Sequence, residues 1–466
     1  MNGIIALLIG IALLLFLIVK TKIQAFPALI VTAITIGLLS GLPALDTISA
    51  TTTGFGNTLS SIGIVIGFGC IMGNFLEKSG AAKRMALTIL KIVGVKRADI
   101  VLGLSGFLVS IPVFCDSGFI ILSQLAKEFS RITKKSMVGL GGILGMGLYI
   151  THFLVPPTPG PLAVAGTLGI DLGVFIIFGL LLSIPLFIVA IFIFRWFGNK
   201  YPDLIPEETI DKSKYTDEQL KVLDKISLKT KNGETLVSSD FEELMSTEEL
   251  PGAFVSFLTI VAPIFLILLN TFAKIVGIEG FPLQIIGLLG NPVVALFISI
   301  LISVYILAKN LDTDEARKIM EKSLADAGLI VFVTGAGGAL GNVIKVTNIG
   351  QIMAEGIISI NMPVILVPLL IGTMMRFPQG SGTTAMITGS AIIAPMVATL
   401  GLNPLMTGLA ICLTAMCPSY LNDSYFWVVT NFSGMDVKTS LKTWSVATII
   451  IPIVGSIILI IVNSFL

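Results

Sequence analysis

The chain has 466 residues, 55% of them hydrophobic and only 12% charged, with a formal net charge of +1. Ordinary soluble domains carry roughly 25% charged residues, so this composition excludes a soluble globule. The near-zero charge balance offers no acidic or basic excess that points to nucleic acid.

Many apolar runs reach about 18 residues, the length that crosses ~30 Å of hydrocarbon. The expected fold is an all-α polytopic membrane protein. Gly3 to Val19 lacks the basic flank of a signal peptide and is expected to remain a helix. Full spans are expected at about 3–19, 25–42, 60–76, 136–155 and 172–195 in the first half. The second half offers about 252–276, 284–308, 326–343, 404–432 and 443–466. Two further apolar runs, 100–126 and 362–400, are interrupted and read as re-entrant hairpins. Between the halves lies a polar segment, 198–251, too short for an ordinary domain and read as a cytoplasmic linker. The domains are thus 1–197, 198–251 and 252–466.

The positive-inside rule tests this arrangement. With both interrupted runs re-entrant, 26 of the 29 Lys and Arg fall on one side, leaving only Lys274, Lys345 and Arg376 elsewhere. If run 100–126 crossed, the basic clusters at 78–97 and 127–135 would lie on opposite sides. The halves also echo each other. Gly67-x-Gly69-x-x-x-Gly73-Asn74 matches Gly335-x-Gly337-x-x-x-Gly341-Asn342 at a constant offset of 268. The expected topology runs these two segments in opposite directions, which makes two inverted repeats of five spans and one hairpin, the pattern of secondary transporters.

The chemistry concentrates at the interruptions. Pro112-Val113-Phe114-Cys115-Asp116-Ser117-Gly118-Phe119 sets an acid in the middle of an apolar run. A broken helix survives in lipid only inside protein or beside a watery cavity, and an ionisable residue there points to function. The second run breaks at Arg376-Phe377-Pro378-Gln379-Gly380-Ser381-Gly382-Thr383-Thr384. A turn of small hydroxylated residues opening a helix presents unpaired N–H groups and the positive dipole end, which suits a carboxylate. Small-residue helix packing explains the glycines equally well, but not Gln379 and Arg376.

After the first hairpin, Thr151-His152-Phe153-Leu154-Val155-Pro156-Pro157-Thr158-Pro159-Gly160-Pro161 cannot continue as helix through its prolines. His152 is the only histidine, a residue type suited to proton handling, though a lone histidine is as readily structural. In the corresponding place of the second half, Cys417-Pro418-Ser419-Tyr420-Leu421-Asn422-Asp423-Ser424-Tyr425 carries another acid. Cys70, Cys115, Cys412 and Cys417 have neither disulfide nor zinc spacing, so no metal or cofactor is expected.

Together these segments resemble the gluconate permease (GntP) family of proton symporters, within the larger ion-transporter superfamily. The matching pieces are Gly54-Phe55-Gly56-Asn57-Thr58, Leu76 to Ala82, Phe114 to Phe119, His152 to Pro161, Thr334 to Gly338, Gln379-Gly380-Ser381 and Asn422-Asp423-Ser424. The proline-rich piece is the most specific of them. The resemblance implies proton-coupled uptake of a small hydroxylated carboxylate (gluconate, a related sugar acid, glycerate or D-serine) across a prokaryotic cell membrane. It also implies a homodimer. Tyr420 stands where the family's last motif has a histidine, and Tyr425 where it has a glycine. Two phenols in the pocket would favour a smaller substrate.

The expected site lies between the hairpin tips. Ser117, Gly118, Ser381, Gly382 and Thr383 offer donors to the substrate carboxylate, while Gln379, Asn422 and Ser424 read its hydroxyls. His152 and Thr158 complete the candidate substrate contacts, and Asp116 or Asp423 carries the coupling proton. A sodium-coupled or antiporting carrier would use the same acids to hold a cation. A membrane-embedded enzyme would need a nucleophile–base or metal constellation, which one histidine and scattered cysteines do not supply.

Overall fold

A computed structural model describes residues 3–206, 250–309, 311–359 and 362–464, and all regular structure among them is helical. Most of the 198–251 linker lies outside the described residues. Its two ends are held by the first half. Leu204 accepts a hydrogen bond from the Met137 amide at 2.8 Å, and Arg84 Nε donates to the Pro251 carbonyl at 2.7 Å.

In the first half, α1 (Gly3–Leu15) runs into a π-helical turn at Phe16–Lys20, and α2 (Ala25–Leu39) returns. The long α3 (Ala44–Lys78) follows, then the amphipathic α4 (Ala81–Val93). Next come α5 (Ala98–Val109) and α6 (Cys115–Thr133), α7 (Met137–Leu154), α8 (Pro159–Leu168) and α9 (Leu172–Lys200). The second half opens with α10 (Ala253–Val276) and a pair bent by 58°, α11 (Phe281–Leu289) and α12 (Pro292–Ile302). It continues with α13 (Thr313–Val346), α14 (Ile349–Ser359), α15 (Leu366–Gln379) and α16 (Gly382–Ile393). The chain closes with α17 (Pro404–Thr414), α18 (Ser424–Ser433), α19 (Val437–Lys442) and α20 (Trp444–Asn463).

Among the described residues, six helices are long and apolar enough to cross a membrane, or seven if the bent pair is one span. The rest of the apolar chain is built from shorter pieces. At 1.5 Å per residue, the 12 residues of α5 and of α16 each reach only about 18 Å. That is well short of the hydrocarbon thickness. The 404–432 run, expected as one span, divides into α17 and α18 around an irregular stretch at 415–423. Pro418 and the polar run Ser419 to Asp423 explain the break, since helix continuation would cost both proline packing and side-chain bonds made to the turn.

Two helices are longer than their apolar stretches. Hydropathy marks 60–76, but α3 begins at Ala44, where several hydroxyls bond within the helix although the buried Thr47 Oγ1 has no partner. Thr51 donates to the Thr47 carbonyl at 2.7 Å, and Ser60 to Asn57 at 2.8 Å. Hydropathy likewise marks 326–343, whereas α13 starts at Thr313. Its cap, Asp312, accepts from the Glu315 amide at 2.7 Å, and acids occupy its first turn.

These two long helices pack antiparallel along the middle of the molecule. A Cβ on Gly54 would sit 2.4 Å from the Gly338 carbonyl oxygen, so glycine is what lets the backbones approach. At one end Asn342 Nδ2 donates to the Ala50 carbonyl at 2.8 Å. At the other, Asn74 Nδ2 donates to Ser323 Oγ at 3.0 Å and to Asp326 at 3.2 Å. Numbers rise along α3 as they fall along α13. The asparagines that close the two glycine motifs thus reach across to each other's helix.

Candidate functional site

The α5–α6 hairpin turns at Ser110–Phe114 and the α15–α16 hairpin at Gly380–Ser381. The break between α17 and α18 lies against both tips. At the second tip Gly380 adopts a left-handed φ of +70°, and a Cβ there would come within 2.2 Å of the Asn422 carbonyl oxygen. Phe377, one turn back, offers its carbonyl to Tyr420 Oη at 2.7 Å and to Asn422 Nδ2 at 2.9 Å. At the first tip, Asp423, Cys115 and Ser424 are the electrostatic neighbours of the Asp116 carboxyl. Phe119 of α6 meets Tyr425 of α18 edge to face, ring centroids 6.1 Å apart.

Arg376 binds these parts together. Its side chain has no solvent exposure. One terminal nitrogen donates to Asp423 Oδ2 at 2.5 Å and to Tyr149 Oη at 3.1 Å. The other donates to the Gly380 carbonyl and closes the hairpin turn on its own arm. Asp423 in turn accepts from Ser419 Oγ at 2.5 Å, and Ser419 Oγ accepts from Trp444 Nε1 at 2.8 Å. The other Asp423 oxygen caps α18 by accepting from the Tyr425 amide at 3.2 Å. Tyr149 Oη donates its own hydrogen bond to the Met416 carbonyl at 3.0 Å. Such additional bonds offset the desolvation of a buried ion pair, here with only Arg376 Nε left without a partner.

Around this clamp the remaining candidates divide. Ser381, Asn422 and Ser424 are exposed, and Asp116, Ser117, Gln379 and Thr383 are half-buried. They form one polar patch bounded by the two tips. Gln379 Oε1 is buried with no hydrogen-bond partner, which leaves an acceptor at the second tip. Ser381 caps α16 through the Thr384 amide at 3.3 Å and also receives the Thr384 hydroxyl at 3.1 Å. The Gly382 and Thr383 amides are left as the first-turn donors at the helix N-terminus.

Four candidates lie behind that patch. Gly118 is buried, and a Cβ there would come 2.7 Å from Leu148. Gly382 is also buried, with a Cβ position only 2.0 Å from the Phe153 ring. Thr158 is buried and lies 2.9 Å from the His152 and Val155 carbonyls, where it fastens the proline-rich turn. His152 is buried between Phe114 and Phe153 with Nδ1 unpartnered.

The two phenols separate as well. Tyr425 is 2% exposed, stacks on Tyr149 with centroids 5.4 Å apart, and donates to the Gly145 carbonyl at 3.0 Å. It is a core residue. Tyr420 is half-buried and receives Asn422 Nδ2 at 3.1 Å, so it borders the polar patch. Residue types alone gave no sign of Tyr149, Ser419 and Trp444 in the network. For Arg376 there was a sign, its isolation from every basic cluster.

The comparisons with known proteins agree with this architecture. The GntP family permease model matches residues 2–465. An uncharacterized permease of Haemophilus influenzae is 39% identical over 99% of this chain and 92% of its own length. A gluconate permease of Pseudomonas aeruginosa is 29% identical over 97% of this chain and 96% of its own. The D-serine transporter DsdX of Escherichia coli is 29% identical over 96% and 95% respectively. In fold, the chain is similar to the crystal structure of the YdaH transporter of Alcanivorax borkumensis, described as having an unusual topology. That likeness has a TM-score of 0.60 at 14% identity and covers 91% of this chain and 89% of that one. With a family model spanning nearly its whole length, this multi-pass membrane protein belongs to the GntP family of permeases, and it is a transporter rather than an enzyme.

Proposed function

We propose that this permease imports a small hydroxylated carboxylate by proton symport, through the polar patch between its two hairpin tips. The observation that carries the reading is the different state of the two acids at the breaks. Asp423 is neutralised by Arg376 at 2.5 Å, whereas Asp116 has no cationic partner among the described residues. A carboxyl without a counter-charge is the one free to take up and lose a proton. While ionised, Asp116 repels an incoming carboxylate; once protonated, it admits one. That order of events couples the proton to the substrate.

In this reading the Gly382 and Thr383 amides and the Ser381 and Ser117 hydroxyls hold the carboxylate. The Gln379, Asn422 and Ser424 side chains read its hydroxyls. Gluconate and D-serine, the substrates named for two of the relatives, share a carboxylate beside a hydroxylated carbon chain. Tyr420 at the rim favours the smaller of such substrates. The short arms α5 and α16 support re-entrant hairpins. The antiparallel α3 and α13 support two inverted repeats, 1–197 and 252–466, joined by a cytoplasmic 198–251 linker. Alternating access would then move one bundle against the other about the site.

A homodimer belongs to the same reading. One face of α3 exposes the polar side chains of Ser49, Thr53, Asn57 and Ser60, a surface better covered by protein than by lipid. A second copy supplies one, and cross-linking of Ser60→Cys in native membranes tests it.

The deciding experiment loads proteoliposomes with an imposed inward proton gradient and follows labelled gluconate, glycerate and D-serine, with and without sodium. Sodium-independent accumulation of one substrate is expected. Accumulation only with sodium replaces the coupling ion. Asp116→Asn should abolish accumulation while the variant remains folded and still exchanges substrate down its gradient; undiminished gradient-driven uptake would remove Asp116 from the coupling step.

A further inference from the structure

Ser419 lies in the break between α17 and α18 and is fully buried. Pro418 before it has no N–H to give, so the break cannot satisfy itself by continuing as helix. Irregular backbone inside a membrane protein must then find its partners within the protein. For Ser419 those partners come from the opening of α20. Thr448 Oγ1 accepts from its amide at 3.1 Å, and Ser445 Oγ donates to its carbonyl at 2.7 Å. Trp444 Nε1 donates to its hydroxyl at 2.8 Å. The spacing of residues 444, 445 and 448 puts them on one side of the helix, and all three are buried.

The chemistry of the donors fixes the direction of these bonds. An indole N–H can only donate, and a serine hydroxyl has a single proton. Because Ser419 Oγ receives Trp444, its own proton is left for Asp423 Oδ2, 2.5 Å away. The Trp444 ring is packed among Tyr149, Tyr425 and Phe194, which keeps its N–H aimed. Asp423 Oδ2 also receives Arg376, and Oδ1 receives the Tyr425 amide. Each group bonded to this carboxylate is a donor, so it stays an acceptor. Arg376 is thereby held with its other terminal nitrogen on the Gly380 carbonyl, at the turn where α16 opens. One line of bonds runs from α20 through Ser419, Asp423 and Arg376 to the second hairpin tip.

We propose that Ser419 and Trp444 are positioning residues for transport. The opening of α20 grips Ser419, and the Ser419 hydroxyl sets Asp423 and Arg376 so that the Gly380 turn presents the Gly382 and Thr383 amides to the substrate carboxylate. This rests on the reading that the second tip holds that carboxylate. Neither residue touches substrate; each acts through Asp423.

The test follows hydrogen–deuterium exchange and initial uptake on full-length variants in liposomes, with whichever of labelled gluconate, glycerate and D-serine the wild type accumulates. Exchange needs no substrate and reads the line of bonds by itself. Ser419→Ala should speed exchange across residues 376–386 while α2 exchanges as before. It should also raise KM roughly fivefold or more, with the maximal rate changed far less. Trp444→Phe should move both readouts in the same direction. Added to Ser419→Ala, it should change KM by at most about twofold, because both act through one hydroxyl. Ser381→Ala, at the tip itself, separates this proposal from the reading beneath it. KM raised by Ser381→Ala but not by Ser419→Ala overturns the proposal, as does unchanged exchange at 376–386. KM unchanged in both overturns the tip as the carboxylate site, and the positioning role falls with it. Effects of Trp444→Phe and Ser419→Ala that multiply would reduce Trp444 to packing and overturn its part. Should Ser419→Ala fail to fold, Ser445→Ala replaces it. Losing the bond to the Ser419 carbonyl should give smaller changes of the same sign, and no change overturns the proposal.

Discussion

Arg376 and Asp423 meet at 2.5 Å with side chains 0% and 6% exposed, joining an arm of the second hairpin to the break between α17 and α18. Removing one member of such a pair strands the other charge, at a cost of about 3–5 kcal/mol, whereas replacing both by apolar groups can be nearly neutral. Asp423→Asn or Arg376→Met alone should therefore lower the unfolding midpoint of the purified protein strongly. The double variant Arg376→Met with Asp423→Leu should regain much of that stability without regaining transport. A double variant as unstable as the singles would show that the bonds to Tyr149 and Gly380 matter more than the charge balance.

Gly382 opens α16 directly against Phe153, where an added Cβ would lie 2.0 Å from the ring. Gly382→Ala should push Phe153 aside and tilt the tip away from the α7 end, reducing uptake at least tenfold. Adding Phe153→Ala removes the clash, so the pair should transport better than Gly382→Ala alone. Uptake assays on the three variants check this. Absence of rescue would place the defect in the lost backbone approach of a carboxylate instead.

The two tyrosines should respond in opposite ways. Tyr425→Phe deletes one buried bond to the Gly145 carbonyl, so about 1 kcal/mol of stability should go with little change in KM. Tyr420→Phe deletes the Tyr420 bonds with the Phe377 carbonyl and Asn422 Nδ2 at the edge of the patch and leaves only the direct Asn422–Phe377 bond there. There KM should change several-fold at almost constant stability. Thermal unfolding and initial uptake rates on both variants separate the outcomes.

Asn74 and Asn342 hold opposite ends of the α3–α13 pair, 268 positions apart in sequence. Each alanine substitution leaves partners unsatisfied and should cost about 1–2 kcal/mol. The sites lie far apart along the helices, so the double variant should show close to the sum. Chemical unfolding in mixed micelles measures it. Strong non-additivity would mean that the helix pair shifts as a unit.

Much of the molecule was decided by local chemistry along the chain. Long apolar runs force helices in a bilayer, because backbone groups there have no other partners. Proline, glycine and isolated acids mark where those helices break, so Asp116, the Pro156–Pro161 segment, Gly380 and Asp423 stood out before any packing was known. Tertiary structure decided what those breaks do. Whether a buried acid meets an arginine depends on segments 47 residues apart folding onto each other, and that made Asp423 a clamp and left Asp116 without a counter-charge among the described residues. The reach of α3 and α13 past their apolar cores was settled by hydroxyl-to-carbonyl bonds and an aspartate cap, which a hydropathy window averages away. The fates of Tyr420 and Tyr425, one at the rim and one stacked in the core, followed from the direction each side chain takes at the break. Composition has no term for direction; packing against Tyr149 and Phe377 supplies it.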